Sequence, residues 1–219
     1  MKKIAKNLYV VTGSVLYSVP IFVIEVNENE LILIDTGLKK DVRTVLKKMK
    51  AKWGSLDKIK KIVITHRHMD HTGGLRPILD EIEAENDRAN VEIICHEEEA
   101  QYFIKYLKDL GLKPTRTLKH EEYISKGVKV KAIHNPGHTF GHICLLFEEE
   151  KLLLLGDTIM YMSGVLMPVF KKFHDDYEQY LKTLKVLLDY EWDYAIPSHN
   201  RPVKITRAKI EKFIKKTAK

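Results

Sequence analysis

The sequence predicts a mixed α/β (α+β) fold in a single domain that covers residues 1–219. Short apolar runs typical of strands alternate with longer segments in which apolar residues recur at helical spacing. No linker-like stretch divides the chain, and 219 residues are enough to bury a sizeable core. Hydrophobic residues make up 44% of the chain and charged residues 31%, which is typical of a globular protein and excludes a disordered one.

The element boundaries follow from the same patterns. The clearest helix starts at Val42, because apolar residues at i, i+3, i+4, i+7 and i+11 from it form one face opposite a lysine-rich one. Strands are predicted at residues 8–11, 20–26, 31–35, 61–65, 91–95, 128–133, 142–147, 151–155 and 193–196. Helices are predicted at residues 42–53, 77–85, 97–110, 175–190 and 206–216. Residues 111–126 and 159–170 are predicted to be irregular.

The charge balance is basic. Lysine and arginine number 37 against 30 acidic residues, which gives a formal net charge of +7. Such an excess is typical either of a protein with an anionic partner or of a lysine-rich solvated surface. Acidic residues are interspersed nearly throughout the chain, which favours the solvated surface.

The cysteines and the apolar runs of the sequence indicate in which cellular compartment the protein is expected. Cys95 and Cys144 both lie in predicted strands, and we expect two free, buried thiols in a reducing environment rather than a disulfide. Lys6 and Asn7 interrupt the apolar stretch at the N-terminus, so no signal peptide is expected. No apolar run approaches the roughly 18 to 20 residues that span a bilayer, and we expect a cytoplasmic protein with no membrane partner.

The densest chemistry lies in the segment from His66 to His71. Three histidines and one aspartate occur within six residues, and imidazole nitrogen and carboxylate oxygen are the usual ligands of zinc. His66 and His68 are two apart on extended backbone, so they project to one side and can bind one ion together. Asp70 and His71 follow after the chain turns, which directs them to a second, neighbouring position. The alternative is a surface histidine cluster without a metal.

Two features flank this segment. Asp35 ends a predicted strand and either accepts the distal N–H of a ligating histidine or serves as a plain helix-entry carboxylate. Gly73 and Gly74 have no Cβ, so they either allow a close backbone approach beneath the metals or act as simple turn residues.

A second histidine group occupies the loop from His134 to His142. His138 is the predicted metal ligand, because Pro136-Gly137 and Gly141 build a tight turn with few side chains around it. His134 and His142 adjoin predicted strands, and we expect them to be packed and hydrogen-bonded instead.

Three further histidines stand apart from these groups. His96 is isolated and is expected to be structural. His120 is unaccompanied in the predicted irregular segment 111–126, which is a candidate loop near the mouth of the site. His174 precedes a predicted helix and is expected in its capping region.

The remaining candidates follow buried strands. Asp157 comes after a nearly all-leucine strand, where a carboxylate is costly to desolvate unless it meets a cation. It is therefore a candidate for a carboxylate that bridges two metals. His199 places one more imidazole after a short strand.

Together these motifs resemble the metallo-β-lactamase superfamily. The resemblance rests on HxHxDH followed by two glycines, on the PGHTxGH segment at residues 136–142, on the GDT segment at residues 156–158 and on the late His199. Asp35-Thr36-Gly37 also matches the first motif of the family. The resemblance implies a four-layer αββα sandwich with metals between the sheet edges. It implies two ligand sets that share Asp157 as a bridge: His66, His68 and His138 for one ion, and Asp70, His71 and His199 for the other.

The resemblance also implies an activity, that of a glyoxalase-II-like hydrolase. Two divalent ions, in the first place Zn²⁺, with iron or manganese also suitable, would hold a bridging hydroxide, since bound water has a pKa lowered to about 7. The hydroxide would cleave a thioester, lactone or related ester in a small-molecule substrate. Asp70 would also orient the hydroxide or accept its proton. Tyr161, four residues past Asp157, is a candidate donor to the oxyanion.

Further activities remain open on the sequence alone. Two subfamilies fit less well. Class B β-lactamases lack a bridging aspartate, whereas this chain has Asp157 as a candidate for that role. Acyl-homoserine lactonases carry a tyrosine three residues after their bridging aspartate, whereas this chain has Met160 there. The same metal pair could serve a phosphodiesterase or RNase, which the net charge of +7 makes more attractive and which would add nucleic acid as a partner. A mononuclear-iron persulfide dioxygenase and a metal-binding protein without catalysis also remain open.

Overall fold

The computed structural model describes residues 1–13, 19–106, 108, 111–199 and 202–217. Its contacts group the chain into two compact units. The first unit comprises Met1–Cys95 and Ala100–Thr117, and the second comprises His96–Glu99 and Leu118–Lys219. The single domain expected over residues 1–219 stays a prediction.

Within the described residues, a seven-stranded sheet belongs to the first part of the chain, and its strands neighbour one another in sequence order. Its first four strands are antiparallel, whereas β4, β5 and β6 run parallel. The strands are β1 (Lys2–Ala5), β2 (Leu8–Val11), β3 (Ile21–Asn27), β4 (Glu30–Ile34), β5 (Ile59–Val63), β6 (Glu92–His96) and β7 (Arg116–Leu118). β1 and β7 were not expected, because β1 carries two exposed lysines and β7 is three residues long.

Helices α1 (Val42–Trp53) and α3 (Leu75–Glu85) belong to the same unit, together with the single turn α2 (Met69–Thr72). The predicted apolar face of α1 is confirmed, and its buried residues are Val42, Val45, Leu46, Met49 and Trp53. Helix α4 (Glu97–Tyr106) begins where predicted. Its predicted continuation to Leu110 reaches residues 107, 109 and 110, which lie outside the described part of the chain.

The second unit contains a five-stranded sheet within its described residues, in the order β14, β13, β10, β9, β8. These strands are β8 (Val130–His134), β9 (Ile143–Phe147), β10 (Leu152–Leu154), β13 (Tyr194–Ile196) and β14 (Ile205–Thr206). β10 is hydrogen-bonded on both sides and all three of its leucines are buried, as its sequence predicts. Residues that follow β10 and β13 leave the same edge of the sheet, because these two strands run parallel.

The structure corrects two expectations in this unit. Residues 159–170, predicted to be irregular, contain the hairpin of β11 (Met160–Met162) and β12 (Val165–Met167). The hairpin turns at Ser163 and Gly164, whose φ angles are 50° and 88°. The long helix predicted for residues 175–190 is instead α5 (Tyr177–Thr183) followed by 3₁₀ turns over Leu184–Asp189. The final helix, α6 (Arg207–Thr217), lies close to its predicted position.

Both cysteines are buried and neither forms a disulfide with a described residue, as predicted. Burial raises the pKa of the Cys144 thiol to about 12, so this thiol stays protonated at neutral pH. None of the described helices is both long enough and apolar enough to cross a membrane.

Candidate metal centre

Four candidate ligands of the first unit follow strand β5. His66 and His71 are fully buried, whereas His68 and Asp70 are half-buried. The rings of His66 and His68 lie 4.8 Å apart at nearly a right angle, and one donor atom of each lies within 4.8 Å of the other. The i, i+2 spacing therefore brings the two imidazoles together as predicted. Asp70 and His71, on α2, present a second pair of donors equally close to each other.

Asp35 fixes the orientation of His71. The Nδ1 of His71 lies 2.7 Å from Oδ2 of Asp35, and both side chains are buried. A carboxylate at this distance accepts the Nδ1 proton, which leaves the Nε2 lone pair of His71 available to a metal ion. Of the two roles considered for Asp35, the structure supports the one that orients a ligand.

Thr65 extends this arrangement to a second histidine, and the sequence analysis missed it. Its backbone N–H and its hydroxyl both donate to Asp35, at 2.8 Å to Oδ1 and 2.8 Å to Oδ2. Its hydroxyl oxygen also lies 3.1 Å from Nδ1 of His66. With its own proton directed to Asp35, this hydroxyl can accept the Nδ1 proton of His66. One carboxylate thus governs the ring orientation of two candidate ligands.

The backbone around Asp35 is tightly constrained. Asp35 itself has a φ of 58°, which is uncommon outside glycine and occurs at positions where surrounding contacts hold strain. The backbone of the next residue, Thr36, packs directly against Gly74. A Cβ on Gly74 would lie 2.1 Å from the Thr36 carbonyl oxygen, so only glycine fits there. The N–H of Gly74 donates to the carbonyl of Gly37 at 2.9 Å. The close approach expected of the two glycines is therefore made to the loop that carries Asp35.

Asp157 is the centre of the second unit's candidate site. It is buried, with 4% of its surface exposed. Its Oδ2 atom lies 2.9 Å from Nε2 of His199 and 3.5 Å from Nε2 of His138. The resemblance to the metallo-β-lactamase superfamily implies that these two histidines bind different ions, and one carboxylate oxygen lies near both. A carboxylate that bridges two metal ions needs this placement.

A hydrogen bond and a close backbone approach to His142 hold Asp157 in position. Its backbone N–H donates to Nε2 of His142 at 2.9 Å, and a Cβ on Gly156 would lie 2.4 Å from the same nitrogen. His142 therefore keeps a neutral ring with its proton on Nδ1. Thr158 continues the network, because its hydroxyl donates to the side chain of Asn135 at 2.9 Å and its carbonyl accepts from Tyr180 at 2.8 Å.

The turn that carries His138 is held from outside by α5 and the residues before it. A Cβ on Gly137 would lie 2.3 Å from the backbone nitrogen of Tyr180, so the turn contacts the helix directly. Asp175 donates from its backbone to the His138 carbonyl at 3.1 Å and accepts from the N–H of Phe140 at 3.0 Å. The sequence analysis missed Asp175, because an exposed acidic residue before a helix has no distinguishing local pattern.

His174 lies in the capping region before α5, as expected, but it does not itself cap the helix. The N-cap is Asp176, whose side chain accepts from the N–H of Gln179 at 2.9 Å. The ring of His174 instead packs 4.2 Å from that of Tyr180 and 5.2 Å from that of His138. Burial lowers the pKa of His174, which keeps this ring neutral beside the candidate ligand.

His96 and His134 are packed side chains, as predicted. Their rings stack 3.8 Å apart, and Nε2 of His134 donates to the carbonyl of Phe140 at 2.8 Å. Burial, with further contributions from His134 and His120, lowers the pKa of His96 to about 4. His120 approaches Tyr190 at 3.1 Å and accepts from the backbone N–H of His134 at the same distance.

Tyr161 lies on β11 and is half-buried. Its ring packs against the hydrophobic core of the second unit, and Nζ of Lys209 lies 4.8 Å from the ring centre. These contacts are those of a packed aromatic residue, and its catalytic role stays a prediction.

Both units thus carry histidine and aspartate side chains of the kind that bind metal ions. Residues 15–199 match the profile of the family described as the metallo-beta-lactamase superfamily. The chain belongs to this superfamily. The predicted metallo-β-lactamase fold and the family recognised from the motifs are both confirmed. Superfamily members are generally hydrolytic and bind metal ions, which agrees with the donor sets in both units.

Two relatives illustrate the range of this superfamily. A beta-lactamase-like protein 2 homolog of Drosophila melanogaster is 32% identical over 198 residues, covering 84% of this chain and 59% of the relative. An atrochrysone carboxyl ACP thioesterase of Aspergillus fumigatus is 26% identical over 159 residues, covering 72% of this chain and 43% of the relative. The chain spans about half the length of the curated relatives it matches.

A solved structure supports the fold. The crystal structure of a metallo-beta-lactamase family protein from Thermus thermophilus superposes with a TM-score of 0.70 at 21% identity. The match covers 96% of this chain and 79% of the other. At this identity the likeness concerns the metallo-β-lactamase fold alone.

Proposed function

We propose that the chain is a glyoxalase-II-like hydrolase that uses two metal ions to cleave a thioester, lactone or related ester. The placement of Asp157 carries the proposal. A buried carboxylate oxygen within 3.5 Å of two imidazoles has the chemistry of a bridge between two cations, and a buried carboxylate is otherwise costly.

We assign the ligands by donor chemistry and by the superfamily motifs, with Asp157 shared between two sets. The proposed sets are His66, His68 and His138 for one ion, and Asp70, His71 and His199 for the other. Imidazole and carboxylate donors suit zinc first, and iron and manganese also accept them. The neutral tautomer that Asp35 imposes on His71 supports this assignment, because a metal binds only the deprotonated nitrogen.

The proposed chemistry divides between the metal pair and the chain. When bound, two such ions lower the pKa of water and polarise a carbonyl or phosphoryl oxygen. Asp70 is half-buried beside His71 and is proposed to accept a proton during the reaction. Asp35 and Thr65 hold His71 and His66 in the ligating orientation. We keep Tyr161 as the proposed donor to the oxyanion.

The thioester class receives support from the Aspergillus relative, whose name describes a thioesterase that acts on an acyl carrier protein. We extend that substrate class to this chain, including an acyl group carried by a protein. A cytoplasmic location remains part of the proposal.

A substrate panel tests the proposed function. Protein loaded with zinc, and separately with iron or manganese, is offered an acyl thioester, a lactone, bis-p-nitrophenyl phosphate and an RNA oligonucleotide. We expect turnover of the thioester or lactone to exceed that of both phosphodiesters. Faster cleavage of RNA or the phosphodiester would replace this proposal with a nuclease. Oxygen uptake with a persulfide by the iron-loaded protein would replace it with a dioxygenase.

A further inference from the structure

A groove on the first unit lies between α1 and α3. It encloses about 570 Å³, and Val42, Leu46 and Pro77 form its apolar lining. Four basic side chains and one acidic one complete the lining: Lys39, Arg43, Lys47, Lys50 and Glu81.

The basic side chains form a single stripe. They are spaced at i, i+4, i+8 and i+11 from Lys39, so they follow one face of α1 and of the turn before it. At a rise of 1.5 Å per residue, the stripe from Lys39 to Lys50 is roughly 16 Å long. That length matches about three turns of a second helix lying along the groove.

Most of this charge is not compensated by any residue that the structure describes. Lys50 pairs with Glu85 at 2.7 Å and with Glu81 at 3.4 Å, and these carboxylates raise its pKa. Lys39, Arg43 and Lys47 form no ion pair with any residue that the structure describes. Three cationic side chains without an ion-pair partner among the described residues therefore border the apolar lining of the groove. Such a surface suits a ligand that is both acidic and amphipathic.

One end of the groove lies beside the ligand loop of the same unit. The backbone nitrogen of Lys39 is 3.3 Å from the position that a Cβ on Gly73 would occupy. Gly73 follows directly on α2, the turn that carries Asp70 and His71. One end of a partner lying in the groove would therefore be close to the turn that carries Asp70 and His71.

We propose that the groove docks an acidic helix of the carrier protein that bears the acyl thioester. This inference rests on the proposed thioester hydrolysis and adds a partner to it. An amphipathic helix would place apolar side chains on Val42, Leu46 and Pro77 and carboxylates against the basic stripe, as in other helix-in-groove recognition. Complementary charge of this kind speeds encounter and selects the partner.

The lining favours such a helix over single-stranded nucleic acid. Proteins that bind single strands stack bases on aromatic side chains, and the groove lining contains none. Glu81 would also repel a phosphate backbone, which is charged at every nucleotide. An acidic helix can instead place an uncharged side chain opposite Glu81.

Kinetics with matched substrates test the docking site. Decanoyl-acyl carrier protein and decanoyl-N-acetylcysteamine carry the same thioester with and without the protein. We expect the double substitution Arg43→Glu and Lys47→Glu to raise KM for the carrier substrate roughly tenfold, since like charges then face each other. The kcat for both substrates and the KM for the small thioester should not change. The matched control is Lys212→Glu with Lys215→Glu, which makes the same change in charge on two exposed lysines of α6.

A binding measurement separates this inference from the proposed function. Fluorescence anisotropy with labelled carrier protein lacking the acyl group requires no catalysis. We expect binding that weakens with added salt, is weakened roughly tenfold in the groove variant and is unchanged in the α6 control. Equal binding of the carrier protein by the groove variant and the α6 control would overturn the docking site. A groove variant that loses binding to an RNA oligonucleotide but still binds the carrier protein would overturn it as well. Failure to hydrolyse the small thioester would instead refute the proposed function.

Discussion

Replacing Asp157 with alanine is expected to lower kcat/KM for the thioester by roughly a thousandfold or more. The carboxylate oxygen lies within reach of both His138 and His199, so its loss would remove the shared ligand of both proposed ions. Metal ions supply several kcal/mol of transition-state stabilisation, and about 4 kcal/mol corresponds to a thousandfold change in rate. Steady-state kinetics on protein loaded under identical conditions measures the effect.

The control for this substitution is Asp189→Ala. Asp189 is an exposed aspartate of the second unit, at the end of the 3₁₀ turns, and its removal should leave kcat/KM within about twofold, since exposed polar substitutions have small effects. Circular dichroism checks that both variants are folded. Turnover by folded Asp157→Ala close to that of the control would show that this carboxylate does not bridge the metals.

Asp35→Asn is expected to weaken the binding of one of the two ions by roughly 10- to 100-fold, the usual cost of losing a hydrogen-bonded partner of a ligating histidine. Asparagine keeps the shape of the side chain but loses the charge that accepts the Nδ1 proton of His71. It also loses one of the two carboxylate oxygens that receive the hydroxyl of Thr65. Titration of metal-free protein with zinc, in competition with a chelating dye, resolves the two affinities.

The matched control is Asp87→Asn, an exposed aspartate in the loop after α3. Both zinc affinities should be unchanged in this variant. If Asp35→Asn also bound both ions as the unsubstituted chain does, Asp35 would have only a structural role in the turn where its φ is positive.

The candidate ligands could be predicted because their signals are local. His66 to His71 form one short segment, and Asp157 and His199 each closely follow a strand whose apolar pattern is clear. The choice of His138 over His134 and His142 rested on the glycines around it, and the structure places the other two histidines in hydrogen bonds with Phe140 and Asp157. The pattern of residue types therefore identified both the candidates and their packed neighbours.

The supporting residues could not be predicted, because their roles depend on contacts distant in sequence. Thr65 contacts Asp35 across 30 residues, and nothing about an isolated threonine indicates that its hydroxyl will lie between a carboxylate and His66. Asp175 holds the His138 turn across 35 residues. The β11–β12 hairpin was missed for a different reason: its pairing is local, but its strands are too short to show the alternation that marks a strand in sequence.

Elemental analysis of the metal-loaded chain, after removal of loosely bound ions, tests the two-metal account most directly. The account predicts about two equivalents of zinc, iron or manganese per chain, because the proposed ligand sets share Asp157 and suit two ions. One equivalent or none in folded protein would contradict it.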